Sequence, residues 1–275
     1  MKFAYLIMSH NNWRQLLVLL KLLDYPDNDI YLHIDKKSEG VDIEEIYSTV
    51  HQAVLHVYCQ YKVCWGKFSQ TKCQVFLLAE AIKTPHDYYH LISGADLPIK
   101  KNSEIQKFFK DNEGREFVHF ESDNICPKEN CRYYHLGDNI FAKVCVSIQK
   151  RMNIYRKFYC GANWYSITHN LAKDFCSHKN QMLDRIKWTK NSDEYILQTF
   201  IKMVSDKEYE FYKHTNNPND YSGTARLIDW HRGQPYVWRK VDFEELVNSD
   251  RMFARKFDEK VDYEIIEMVE KYVHE

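Results

Sequence analysis

"YYHLISGADLPIK", Tyr88 to Lys100, decides how this chain reads. It opens with strand-forming residues, Tyr88–Ile92, and turns at Ser93-Gly94 towards a single aspartate, Asp96, and Pro98. In open α/β sheets, ligands bind at such junctions, beyond the carboxyl ends of the strands. The upstream sequence supplies the rest of the sheet. Phe3–Met8 reads as a strand, Asn11/Asn12 as a capping turn, and Trp13–Leu23 repeats apolar residues at helical spacing. Tyr25–Asp29 is a turn, Ile30–Ile34 a strand ending at Asp35, Val41–Val50 a short helix and Val54–Tyr58 a third strand. Ser69–Lys83 is a helix with Val75, Leu78, Ala79 and Ile82 on one face. This alternation predicts an α/β fold, a mostly parallel central sheet with helices on both faces.

Downstream the rhythm loosens. Ser103 is expected to cap a helix over Glu104–Lys110, and Phe117–Phe120 reads as a strand. Order returns at Trp164–Thr168, Asn170–Cys176 and Asp193–Met203. Residues 121–160 between them are polar, aromatic and locally basic (Lys150, Arg151, Arg156, Lys157), with no clean period. No Pro/Gly/Ser-rich linker, repeat or low-complexity tract divides the 275 residues, so one domain, 1–275, is expected.

At 44% hydrophobic and 28% charged residues, the chain can build an ordinary core. A net charge of −1 gives no global reason to expect nucleic acid or an anionic membrane as partner. Twenty tyrosines and six tryptophans suit flat ligand surfaces such as sugars. The apolar run Phe3–Met8 is too short for the core of a signal peptide, and no stretch approaches the roughly 20 apolar residues of a transmembrane segment. The expectation is a cytoplasmic protein, at most peripheral at a membrane. Eight scattered cysteines in a chain this large are expected to be reduced thiols. Cys126, Cys131 and His135 lack a compact knuckle spacing and a fourth ligand, so no zinc site is expected.

Asp96 stands between Ala95 and Leu97, with no second acid to share a metal ion. The nearby Asp27-Asn28-Asp29 follows Pro26 and reads as a surface turn.

Five stretches, in order, carry a family resemblance: "YLHIDKKS" (31–38), "VCWGKFSQTKCQVFLLAEAI" (63–82), "YYHLISGADLPIK" (88–100), "NSDEYILQTFI" (191–201) and "MFARKFD" (252–258). Together they resemble the core-2/I-branching glycosyltransferases, a family that includes β-1,6-N-acetylglucosaminyltransferases and peptide O-xylosyltransferases. The likeness runs from Phe3 to about Ile266, with 121–160 poorly matched. It implies a GT-A-like fold and inverting transfer from a UDP-sugar donor to a glycan acceptor, without a metal or other cofactor. Residues 1–100 would be the nucleotide-binding half and 101–275 the acceptor-binding and catalytic half.

The resemblance also implies roles. Lys256 would contact the diphosphate, where an ammonium can replace a divalent ion in stabilising charge on the leaving group. The family's arginine falls near Gln234–Trp238, where this chain has none; Arg232 and Arg239 flank the gap, and Arg239 is the candidate. Glu194 would be the general base that an inverting transfer needs, with Ser192 as N-cap and Asp193 as capping acid. Asp35 would contact uridine, with a salt bridge to Lys36 or Lys37 as the alternative, and Asp96 would complete the donor site. Trp230 would stack on the acceptor sugar and Glu121 would hydrogen-bond its hydroxyls.

The function expected is transfer of N-acetylglucosamine from a UDP-sugar to a glycan hydroxyl. Transfer of xylose to a serine or glycan is the alternative within the family. A non-catalytic carbohydrate-binding module is the alternative outside it, and donor hydrolysis discriminates between them.

Overall fold

The computed structural model describes residues 1–137, 139–215 and 217–274. Its centre is a five-stranded sheet. β1 (Phe3–Ser9) lies between β2 (Asn28–Ile34) and β4 (Tyr88–Ser93), and β3 (Val54–Tyr58) pairs with the far side of β2. These four strands are parallel; the strand Ser166–Thr168 adds to β4 in the antiparallel sense. β1 reads as an unbroken apolar run because both of its faces are covered. Phe3, Tyr5 and Ile7 pack with α1 (Trp13–Leu23) and the helix Glu264–His274. Ala4 and Leu6 pack on the opposite face with α3 (Phe68–Ala81) and the helix His169–Ser177. The α/β architecture expected from the sequence is therefore the one observed.

A second, three-stranded sheet abuts the end of β4. Its middle strand, Phe253–Arg255, runs antiparallel to Asp96–Pro98 and parallel to Arg226–Ile228. The connection is made at the carboxyl ends of the large sheet: Gly94 N–H donates to the Met8 carbonyl at 3.0 Å and Phe257 N–H to that of Ala95 at 2.8 Å.

Several local expectations need correction. β2 starts earlier than expected, so Asn28 and Asp29 are buried strand residues rather than a surface turn. Asn28 Nδ2 donates to the Leu23 carbonyl, and Asp29 meets Lys2 and His86 at the amino end of the strand. Asn12 adopts φ 57° and sends its amide to Asp258 instead of capping α1. Ser103 lies inside the helix Asn102–Asp111, whose first turn is closed by Glu104 accepting from Lys101 N–H at 3.0 Å. Of Phe117–Phe120, only Phe117 pairs, in a bridge to Ser166; Val118 and Phe120 are held by burial instead. The predicted helix from Asp193 divides into a 3₁₀ turn, Ser192–Glu194, and an α-helix, Ile196–Met203. Residues 121–160 contain a twelve-residue helix, Ile140–Arg151, started by Asn139 Oδ1 accepting from Ala142 N–H. Only Ala142 of that helix is buried, which is why no period shows in its sequence. Among the described residues no helix is long and apolar enough to cross a membrane.

Candidate active site

A cleft of about 1090 Å³ opens at the carboxyl ends of β1, β2 and β4, which is where open α/β sheets place their ligands. Five of the seven sequence candidates line it: Asp35, Glu121, Glu194, Trp230 and Lys256. Asp96 and Arg239 do not.

At the end nearest β2, Asp35 is buried and fully engaged. Its carboxylate accepts from the backbone of Lys37 at 2.9 Å and of Val63 at 3.2 Å, with Lys37 Nζ 3.6 Å away. The salt bridge weighed as the alternative is present, and the residue still borders the cleft. Beside it, His33 Nε2 accepts from Tyr61 N–H at 3.0 Å, which leaves the proton of the neutral ring on Nδ1. Burial lowers the pKa of His33, and its Nδ1 has no partner among the described residues. The ring is thus neutral, with its remaining N–H buried beneath this end of the cleft.

Below the middle of the cleft, Asp96 is buried and accepts three hydrogen bonds on Oδ2: from Ser93 N–H at 2.6 Å, Ser93 Oγ at 2.5 Å and Arg255 Nη1 at 2.9 Å. The antiparallel register sets Arg255 opposite Asp96, and the guanidinium lies 4.3 Å over the Trp164 ring. Asp96 is therefore the anchor of an arginine and is not presented to a ligand. Arg255 borders the cleft and is followed by Lys256, whose ammonium has no ion-pair partner among the described residues. Arg239 is exposed outside the cleft, where its N–H donates to Asp242. Arg232 is engaged by Asp229, Asp242 and Glu245. The arginine supplied to the cleft is Arg255, a position that only the pairing of two strands distant in sequence reveals.

Glu194 lines the same cleft. Neither Ser192 nor Asp193 caps a helix here. The Ser192 hydroxyl meets Thr71 Oγ1 at 2.6 Å, and Asp193 Oδ2 accepts from Gln70 at 2.7 Å and Asn163 at 2.8 Å. These contacts fix the 3₁₀ turn, and the Glu194 carbonyl accepts from Gly161 N–H at 3.0 Å. Gly161 is needed for that approach, since a Cβ there would lie 1.8 Å from the His119 carbonyl oxygen. The Glu194 carboxylate itself takes no hydrogen bond from a described residue and borders the cleft. Burial, reinforced by the charge of Asp193 and opposed by that of Lys128, raises its pKa to about 7. A carboxylate poised there is suited to taking a proton at neutral pH.

Next to Glu194, Lys128 Nζ donates to Glu121 Oε1 at 2.5 Å, and the Cys160 thiol to Glu121 Oε2 at 3.3 Å. Burial disfavours the charge on Lys128, but Glu121 outweighs it and leaves the pKa raised. Sequence reading missed Lys128 because it sits in the segment without a period. Trp230, half exposed, tilts towards Tyr221 with centroids 6.0 Å apart, and Tyr221 stacks on His119 at 4.5 Å, forming an aromatic ledge beside the carboxylates. Cys126 and Cys131 are buried with Cys160 nearby, whereas His135 Nε2 is turned to the Glu129 carbonyl. Among the described residues no group of three or more His, Cys, Asp or Glu is arranged to hold a metal ion.

A cleft beyond a parallel sheet that gathers an uncommitted carboxylate, cations and an aromatic ledge is the equipment of a glycosyltransferase. The chain belongs to the Core-2/I-Branching enzyme family, whose model matches residues 3–250. It is 22% identical over 303 residues to the Rattus norvegicus beta-1,3-galactosyl-O-glycosyl-glycoprotein beta-1,6-N-acetylglucosaminyltransferase 3, covering 98% of this chain and 67% of that protein. Against Rattus norvegicus Xylosyltransferase 2 it is 20% identical over 302 residues, covering 99% of this chain and 34% of the relative. It thus spans about two thirds of the first relative and one third of the second. The solved structure of mouse Xyloside xylosyltransferase 1, apo form, aligns with 92% of this chain and 97% of its own at 10% identity, with a TM-score of 0.38.

Proposed function

We propose that the protein is an inverting, metal-independent glycosyltransferase that moves a sugar, N-acetylglucosamine, from a UDP-sugar to a glycan hydroxyl. Glu194 takes the proton of the acceptor hydroxyl as its oxygen bonds to the anomeric carbon from the side opposite the diphosphate. The bond from that carbon to the diphosphate oxygen breaks, and UDP leaves with its charge met by Lys256 and Arg255. Asp35 and His33 border the nucleoside end, and Trp230, Glu121 and Lys128 meet the acceptor. The observation that carries this reading is the pairing within one cleft of an uncommitted Glu194 carboxylate with an uncommitted Lys256, while Asp96 is committed to Arg255.

The test is UDP release from a panel of UDP-sugars, with and without EDTA. Release from UDP-N-acetylglucosamine that persists in chelator is expected. Loss in EDTA restored by manganese would overturn the metal-free assignment. The Xylosyltransferase 2 relative, about as similar as the other, keeps xylose as the second donor, and faster release from UDP-xylose would select it.

A further inference from the structure

The helix Ile140–Arg151 touches the body through buried Ala142 and the half-buried Cys145, Val146 and Gln149. At ~100° per residue, Ile140, Val144, Ile148 and Phe141 fall within one outward arc of about 100°. Phe141 is 75% and Ile140 69% exposed, and Met152, Ile154 and Tyr155 extend the exposed apolar surface beyond the last turn. Large aliphatic and aromatic side chains are rarely left in water as a contiguous group, and such groups mark interaction sites. Lys143 and Lys150 flank one side of the stripe and Arg151 closes its carboxyl end; Lys143 and Arg151 have no ion-pair partner among the described residues, and Lys150 pairs with Glu129. Residues 128–157 hold seven Lys/Arg against two Asp/Glu, a net +5 on a chain of net −1.

We propose that this face docks the protein onto an anionic lipid bilayer, the helix lying in the plane of the interface. An apolar stripe flanked by lysine and arginine is the pattern of interfacial helices, in which greasy side chains enter the acyl boundary and cations meet lipid phosphates. A second copy of the chain fits poorly, because a two-fold contact would set this net-positive surface against itself. The segment is tied to the acceptor side of the cleft: Cys126 N–H donates to the Phe158 carbonyl at 2.7 Å, and Lys128 reaches Glu121. Docking would hold the acceptor side near the membrane surface, a consequence that rests on the proposed glycosyltransferase reading; the docking itself does not.

The test is co-sedimentation of the full chain with phosphatidylcholine vesicles, with and without phosphatidylglycerol, at low and high salt. Binding is expected to the anionic vesicles and to weaken in high salt. Each basic side chain near such a surface contributes about fivefold to partitioning, so K143E/R151E should bind at least tenfold more weakly. F141D/I148D should lose binding as well. Both positions are exposed, so thermal melts should match wild type and exclude misfolding as the cause. No sedimentation with anionic vesicles, or variants that bind like wild type, would overturn the proposal. A wild-type dimer in light scattering that F141D/I148D abolishes would overturn it in favour of a second copy.

Discussion

At Glu194 the environment, more than the residue type, decides the chemistry. In the proposed mechanism, replacement by Gln keeps the shape and removes the base, so transfer should fall by about 10²–10⁴ while UDP affinity, measured by titration calorimetry, stays unchanged. Since the carboxylate must be ionised to act and its pKa is raised to about 7, turnover should climb with pH through that value. The charge of Lys128 lowers that pKa, so Lys128→Met should move the rising limb to higher pH. At the other wall, Lys256→Ala should weaken UDP binding while uridine binding is unaffected. Charge-assisted phosphate contacts are among the stronger hydrogen bonds, so a loss of about 2–4 kcal/mol in the transition state is expected. Asp96→Asn should also weaken UDP binding, through a guanidinium that has lost its buried carboxylate partner. Much of this site is legible: Glu194, Lys256 and Asp35 stand in the recognisable stretches and reach one cleft, which Glu121 and Trp230, outside those stretches, also line. Arg255 is not singled out by its local sequence, because its place depends on a strand register that no local pattern encodes.

Elements packed into the core are legible in the sequence, as apolar runs or as a period, and the element that buries little is not. Trp13–Leu23 matches its predicted bounds because packing on the sheet imposes a helical period, and the edge strand Val54–Tyr58 matches through its strand-forming residues. The helix Ile140–Arg151 was not seen, because apolar residues on its outward face blur the contrast from which a period is read. Around Glu194 the chain follows side-chain contacts, Thr71 to Ser192 and Gln70 to Asp193, so propensity alone predicted one helix where a turn and a helix stand. The crossing at Gly161 gives this scale its prediction. Gly161→Ala would force the segment away from the His119 carbonyl and pull the Glu194 backbone with it. Both melting temperature and turnover should drop, the latter more than the remaining folded fraction explains.

For the molecule as a whole, buried titratable groups set opposing slopes of stability with pH. Burial lowers the pKa of His33, His86, His90, His119 and His169 below 6.5. The unfolded chain takes up those protons first as pH falls, so their contribution is present above 6.5 and lost in acid. Burial raises Glu116 and Glu194 from 4.5 to about 7, which contributes the reverse, stability present below 4.5 and lost as pH rises through about 7. The two slopes oppose each other in acid, whereas from pH 6.5 through about 7 only the loss from Glu116 and Glu194 remains, so the melting temperature should fall across that interval. In the same melts, Glu194→Gln should gain stability relative to wild type progressively between pH 4.5 and 7.

The small sheet and the turn that follows its middle strand join residues that are far apart along the chain. Arg255 meets Asp96 across 159 positions, and Asn12 meets Asp258 across 246. Contacts of such long range are slow to form, because the entropy of closing so large a loop precedes any return from the contact. During synthesis the strands at 3–9, 28–34, 54–58 and 88–93 leave the ribosome long before Phe253–Arg255. A nascent chain can therefore bring the strands of the large sheet together while its cleft still lacks Arg255 and Lys256. Unfinished chains should be unable to hold a nucleotide sugar, and in refolding, recovery of UDP binding should lag behind recovery of the far-ultraviolet circular dichroism signal.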